Sequence, residues 1–152
     1  MTGESSWIVL KFGGTSVSTL ENWRNVAAVV RARLAEGYRV LVVHSALSGE
    51  TDRLEKLLSA AFSGTHEALL ALIEERHLTL AAQLGIDSSA KLENYFAELR
   101  QIAAGLAQSG EASDRTRARV LAFGELLATE LGARYLSAQG ITTTWWDVRD
   151  GL

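Results

Sequence analysis

Lys11-Phe12-Gly13-Gly14-Thr15-Ser16 gathers a full positive charge, two adjacent glycines and two hydroxyls into one short run. Glycine lets a backbone approach a ligand closely, and successive N–H groups at the start of a helix form a seat for phosphate oxygens. The run is neither GxxxxGK[ST] nor GxGxxG, so the Walker and dinucleotide readings both fail. A plain strand-to-helix turn with Lys11 solvated at its edge uses the same residues, and composition leaves both readings open.

A second run, Ser45-Ala46-Leu47-Ser48-Gly49-Glu50-Thr51-Asp52, again joins hydroxyls, a glycine turn and a helix start. Ser48 and Thr51 can equally do no more than satisfy turn and N-cap donors. No glycine precedes Ser45 at the spacing of a nucleophile elbow. Further on, Glu125 follows Gly124 among Leu121, Ala122, Ala128 and Thr129 at helical spacing. A carboxylate on such a stripe calls for a partner, either a ligand ammonium or an arginine such as Arg117 or Arg149. Trp145-Trp146-Asp147-Val148-Arg149 is the fourth candidate. Its tryptophans are expected under helices, with Asp147 and Arg149 at a ligand edge.

The elements that must position these residues follow from apolar spacing. WIVLKF, residues 7–12, reads as a strand. Ser18 and Glu21 have the spacing of a capping box, and Leu20, Trp23, Val26, Ala27, Val30 and Leu34 recur as one helix face before Gly37. YRVLVV, residues 38–43, reads as a second strand, which makes a βαβ unit. In a parallel sheet the two loops that follow these strands lie side by side and can face one ligand. Both strands are almost wholly apolar, so helices are expected on both sheet faces.

Four more helices follow in the reading: 52–61 behind Thr51, 65–84 behind Gly64, one through Leu92, Phe96, Leu99, Ala103 and Leu106, and one from Ser113 to Gly140. TTTWWDV, residues 142–148, is expected as a third strand. The fold class is therefore α/β, a partial three-layer αβα arrangement with a mostly parallel sheet. Such sheets usually have five or more strands, so the sequence reads as an incomplete domain.

Composition excludes several classes. The chain has 152 residues, a net charge of −3, no cysteine and no proline. Mixed charge argues against a nucleic-acid partner, and no apolar run approaches a membrane span. Without cysteine there is neither a disulfide framework nor a thiolate metal site, and the three histidines are scattered. No metal-ligating residue is assigned. A cytoplasmic location is the expectation.

KFGGTSV, here Lys11 to Val17, resembles the signature of aspartate kinases within the amino-acid-kinase family. Ser45 to Leu54 is similar to the family's SAxxGxT[DN]xL segment, and Gly124-Glu125-Leu126-Leu127 to its GE pair in a long helix. DVRD, residues 147–150, looks like the segment that follows. The resemblance covers essentially the whole chain. His44 and Glu50 depart from the family's wording.

The resemblance implies the fold of the N-terminal part of such a kinase over residues 1–152. It also implies transfer of a phosphoryl group from ATP, with Mg²⁺, to the side-chain carboxylate of L-aspartate, at the head of lysine, threonine and methionine biosynthesis. By this likeness Lys11 is catalytic, and Lys11, Gly13, Gly14, Thr15, Ser16 and Ser45 contact phosphate. Thr51 and Glu125 hold aspartate. The family's later segments, with its GRGGSD run and nucleotide-base site, have no counterpart among these residues. The isolated chain is therefore expected to be inactive and to bind no cofactor tightly. A parent fused to a second activity, such as a diaminopimelate decarboxylase, is part of the expectation, and so is a homo-oligomer. The competing expectation is a non-catalytic module that keeps the half-fold for binding or assembly.

Overall fold

The computed structural model describes residues 6–87 and 89–151. Strand β1 (Trp7–Phe12) leads through a 3-10 turn (Gly14–Val17) into helix α1 (Leu20–Ala35), and β2 (Arg39–His44) follows. Helices α2 (Glu50–Phe62), α3 (Glu67–Leu84), α4 (Ser89–Ser109) and α5 (Asp114–Ala138) complete the body, with a last 3-10 turn at Val148–Gly151. The two strands pair in parallel, from Trp7 opposite Arg39 to Phe12 opposite His44. The βαβ unit and the parallel sheet thus stand as read, with β2 one residue later.

The strands alternate in burial rather than being covered on both sides. Leu10, Phe12, Val40 and Val42 pack against the core under the helices. Trp7, Val9, Leu41 and Val43 stand on the opposite face and are exposed. Among the described residues no helix covers that face, which corrects the expectation drawn from the apolar strands. An apolar strand shows only that both of its faces favour burial. It does not show what supplies the cover.

The expected third strand is not formed. Residues 141–147 carry no strand hydrogen bonding, and the 3-10 turn follows. Their burial still has the period of a strand: residues 143, 145 and 147 are half-buried, and 142, 144 and 146 are exposed. What is missing is a neighbour. A cavity of about 470 Å³ separates the segment from the open edge of β2, with Val40 to His44 on one wall and Thr142 to Val148 on the other. A strand is defined by its ladder, and this one has none to join.

Trp23, Leu54, Ile73, Leu92, Phe96, Leu127 and Leu131 form the centre of the core. Burial of side chains of this size, at roughly 1.5–3 kcal/mol each, is the main favourable contribution to folding. Helix α5 begins as the sequence suggests, with the Ser113 hydroxyl accepting from the Thr116 N–H. Three other starts differ, α3 opening at Glu67 behind His66 rather than at residue 65 behind Gly64. Helix α1 is capped by Thr19, whose hydroxyl accepts from the Asn22 N–H, and not by Ser18. Helix α2 opens on Gly49, held at φ 76°, so Thr51 lies inside its first turn. Among the described residues no helix is long and apolar enough to cross a membrane.

Candidate functional site

The turn after β1 and the loop after β2 meet directly. A Cβ built on Gly14 would stand 2.7 Å from the Ala46 carbonyl oxygen and 3.1 Å from the Ser48 nitrogen. Only a residue without a side chain allows this approach. The Ser45 N–H continues the ladder by donating to the Phe12 carbonyl at 3.1 Å. Ser18, freed from capping, bridges the two segments. Its hydroxyl donates to the Gly14 carbonyl at 2.6 Å and accepts from the Ser48 N–H at 2.9 Å.

Gly13 is exposed, with no atom within 4 Å of where its Cβ would be. The turn is therefore open to a solute. Its glycines lead into a short 3-10 turn rather than into α1 itself, so the pull on an anion comes from local N–H groups and charge more than from a long helix dipole. Lys11 is exposed, opposite Val43 in the register. Thr15 and Ser16 line a shallow hollow with Phe12, Asn22, Asn25, Val26 and Val29, and the Thr15 carbonyl accepts from the Asn22 side chain.

The second loop is anchored by burial of Ala46 and Leu47, and Ser45 is half-buried. Gly124 of α5 packs on it so closely that an added Cβ would lie 2.8 Å from the Ala46 methyl. Glu125, the next residue, borders the cavity beside Val43, His44 and Thr129 and is exposed. Neither arginine suggested by sequence reaches it: Arg117 pairs with Glu55 at 2.7 Å, and Arg149 pairs with Asp147. Thr51 is exposed on α2. The two loops and Glu125 are thus neighbours. Thr15 and Ser16 line the α1 hollow, which is separate from the cavity beside Glu125.

The tryptophans divide. Trp145 is partly buried and its indole N–H donates to the Thr129 hydroxyl at 3.0 Å, whereas Trp146 is 62% exposed. Asp147 is held below the usual carboxylate range by its hydrogen bonds from Arg149. His44 sits at the end of β2 with its ring edge-on to Trp23, centroids 5.3 Å apart, and Nδ1 is 3.0 Å from the Ser45 carbonyl. Burial lowers its pKa, so it is a neutral packing residue at this sheet end.

Three features escaped the sequence reading. Ser18 looked like a cap, and Arg76 is one of many helical arginines. Glu50 looked like an ordinary acid at a helix start. In the fold Glu50 is fully buried, and its carboxylate accepts from Arg53 at 2.6 Å with Arg76 Nε at 3.5 Å. Desolvation raises its pKa against the pull of both arginines. Arg76 also donates to the Ser48 carbonyl at 2.7 Å.

Among the described residues no three histidines or carboxylates come together as a metal-holding group. These residues do not by themselves fit a Mg²⁺ ion.

Comparison with known proteins bears on the family and the fold. Residues 6–152 match the model of the amino acid kinase family. Aspartokinase 1, chloroplastic, from Arabidopsis thaliana is 35% identical over 91% of this chain and 25% of its own length. The aspartokinase of Chlamydia muridarum is 33% identical over 88% of this chain and 28% of its own. The crystal structure of E. coli aspartokinase III in complex with aspartate and ADP superposes with a TM-score of 0.82 at 26% identity, covering 95% of this chain and 32% of that one. The chain spans about a quarter of the length of these curated relatives. With the family's model matched from residue 6 to residue 152, this chain belongs to the amino acid kinase family.

Proposed function

We propose that the chain is the N-terminal part of an aspartate kinase domain. A side-chain carboxylate oxygen of L-aspartate attacks the γ-phosphorus of ATP, the bond to the β-phosphate oxygen breaks, and ADP leaves as 4-phospho-L-aspartate forms. Such transfers depend on positioning and on neutralising charge. Lys11 and the Gly13-Gly14 amides stabilise charge on the transferred group. Thr15, Ser16 and Ser45 border the phosphates, and Thr51 and Glu125 hold aspartate, Glu125 through its α-ammonium group. Mg²⁺, which would neutralise phosphate charge, takes its ligands from outside the described residues. The cytoplasm is the proposed location.

One observation carries this reading. The KFGGTSV turn docks on the Ser45–Asp52 loop at the carboxyl ends of adjacent parallel strands, the place where open α/β sheets bind ligands. The likeness to E. coli aspartokinase III, solved in complex with aspartate and ADP, favours a kinase over a non-catalytic module.

Ligand titration of the isotope-labelled chain, followed by amide shifts, tests it. Inorganic tripolyphosphate should move Gly13, Gly14, Thr15 and Ser45, and L-aspartate should move Thr51 and Glu125. Absence of both patterns up to millimolar ligand would sink the assignment.

Self-association belongs to the same reading. Trp7, Val9, Leu41 and Val43 make an exposed, largely apolar sheet face on which Arg39 stacks over Trp7, with exposed Trp146 and Val148 across the cavity from β2, and such faces seek a partner. Sedimentation across a range of concentrations should show dimers or larger species. A lone monomer at the highest concentration removes this part.

A further inference from the structure

We propose that Ser18 and Arg76 are positioning residues that hold the Ser48 backbone, Ser18 at its N–H and Arg76 at its carbonyl. In this way they fix the spacing between the phosphate-facing turn and the aspartate-facing loop. The inference rests on the reading of those two loops given above.

Ser48 lies midway between Ser45 and Thr51, the loop residues assigned to phosphate and to aspartate. It is exposed and precedes Gly49, whose backbone has the left-handed geometry that glycine adopts freely. Burial of Ala46 and Leu47 and the Glu50 N–H bond to the Leu47 carbonyl at 2.9 Å hold the ends of this turn, which leaves the Ser48 backbone groups at its tip to be held. Its N–H is taken by the Ser18 hydroxyl and its carbonyl by the Arg76 guanidinium. Ser18 in turn donates to Gly14, so among the described residues it is the one side chain hydrogen-bonded to both loops. Arg76 is itself fixed, because the fully buried Glu50 carboxylate at the foot of the loop lies against its guanidinium. A buried carboxylate needs cationic partners, and Arg53 and Arg76 supply them.

The result is a continuous brace from α3 through the Ser48 peptide and Ser18 to the Gly14 turn. Near-attack geometry in a transfer reaction depends on such fixed spacing. A ligand seated on one loop then meets the other already in place, which couples the two binding events. A structural hydrogen bond alone would contribute to melting temperature but would not link the ligands.

The test uses the labelled 152-residue chain with Ser18→Ala, Ser18→Thr and Arg76→Met. Amide hydrogen exchange at Ser48 is read together with titrations of tripolyphosphate and L-aspartate, alone and in combination. In Ser18→Ala, Ser48 exchange should accelerate about tenfold, the equivalent of one lost hydrogen bond, and each ligand should cease to tighten the other. Ser18→Thr should restore both, because it keeps the hydroxyl. Arg76→Met should accelerate the same amide from the carbonyl side, which gives an independent reading if Ser18→Ala folds poorly. Unchanged Ser48 exchange in both Ser18→Ala and Arg76→Met overturns the brace, and so does unchanged coupling when exchange accelerates. If neither ligand binds the unsubstituted chain, the functional reading fails. The brace is then judged by Ser48 exchange and its restoration by threonine.

Discussion

Trp23→Ala should cost about 3–5 kcal/mol of stability, the range for removing a large aromatic side chain from a core. For a chain of this size that lowers the melting midpoint by on the order of 10 °C. Trp23 is 1% exposed and sits where α1, β2 and α5 converge. Its ring meets His44 edge-on at 5.3 Å and Tyr135 at 5.8 Å. Its indole N–H donates to the buried end of the KFGGTSV turn, the Val17 carbonyl, at 2.8 Å. Gly132 makes room for it: a Cβ there would lie 2.3 Å from the far ring edge. Trp23→Phe keeps much of the apolar area but removes the donor, so it should cost less than alanine while still loosening the turn. Thermal melts followed by far-ultraviolet circular dichroism measure both. A loss below ~1 kcal/mol for the alanine variant, the size of an ordinary mutation, would mean that Trp23 does not anchor this junction.

The sequence made the local elements readable because helices and the βαβ unit are written in short-range spacing. Of Leu20, Trp23, Val26, Ala27, Val30 and Leu34, spaced as one face of α1, the middle four are buried, Leu20 is half-buried and Leu34 is exposed. Strand pairing is a relation between distant segments, and there the reading ran out. Residues 142–148 read as a strand, and in the fold their burial alternates as a strand's does while they stay unpaired across a cavity from β2. The start of α1 failed for a different reason. Ser18 and Thr19 are adjacent hydroxyls, either of which can cap, and only the position of Ser48 explains why Ser18 turned away.

For the site, glycines were more informative than charges. Gly14 and Gly124 each stand where a neighbouring loop leaves no room for a methyl group, and both lie in the runs singled out by sequence. Charges were harder to place because their partners come from other elements. Glu125 was expected to be paired and is exposed, while Glu50 and Glu130 are the buried carboxylates, held by Arg53 with Arg76 and by Arg134. No spacing rule links Glu50 to Arg76, since they lie on different helices.

Acidification should destabilise the fold through His77, and the sign follows from its surroundings. His77 is fully buried on α3. Nδ1 lies 2.7 Å from the Ile73 carbonyl, Phe96 lies edge-on, and among the described residues Nε2 has no hydrogen-bond partner. Burial above all, with the nearby charges of Arg76 and Arg53, pushes its pKa down from 6.5 to about 4, against the pull of the Ile73 bond. The unfolded chain therefore takes up a proton near pH 6.5, and the folded chain does so only near pH 4. Stability is fully present above that window and falls through it, by roughly 3 kcal/mol at about 1.4 kcal/mol per pH unit. Below the window the His77 contribution is level. His44, also lowered by burial, adds in the same direction, whereas the raised Glu50 carboxyl works against both. The difference between the parent chain and His77→Leu isolates the one group. Urea unfolding across this pH range should show the parent losing more stability than the variant as pH falls. Parallel curves for the two proteins would show that the buried imidazole is protonated as readily in the fold as in the unfolded chain, and would remove His77 as the source of acid sensitivity.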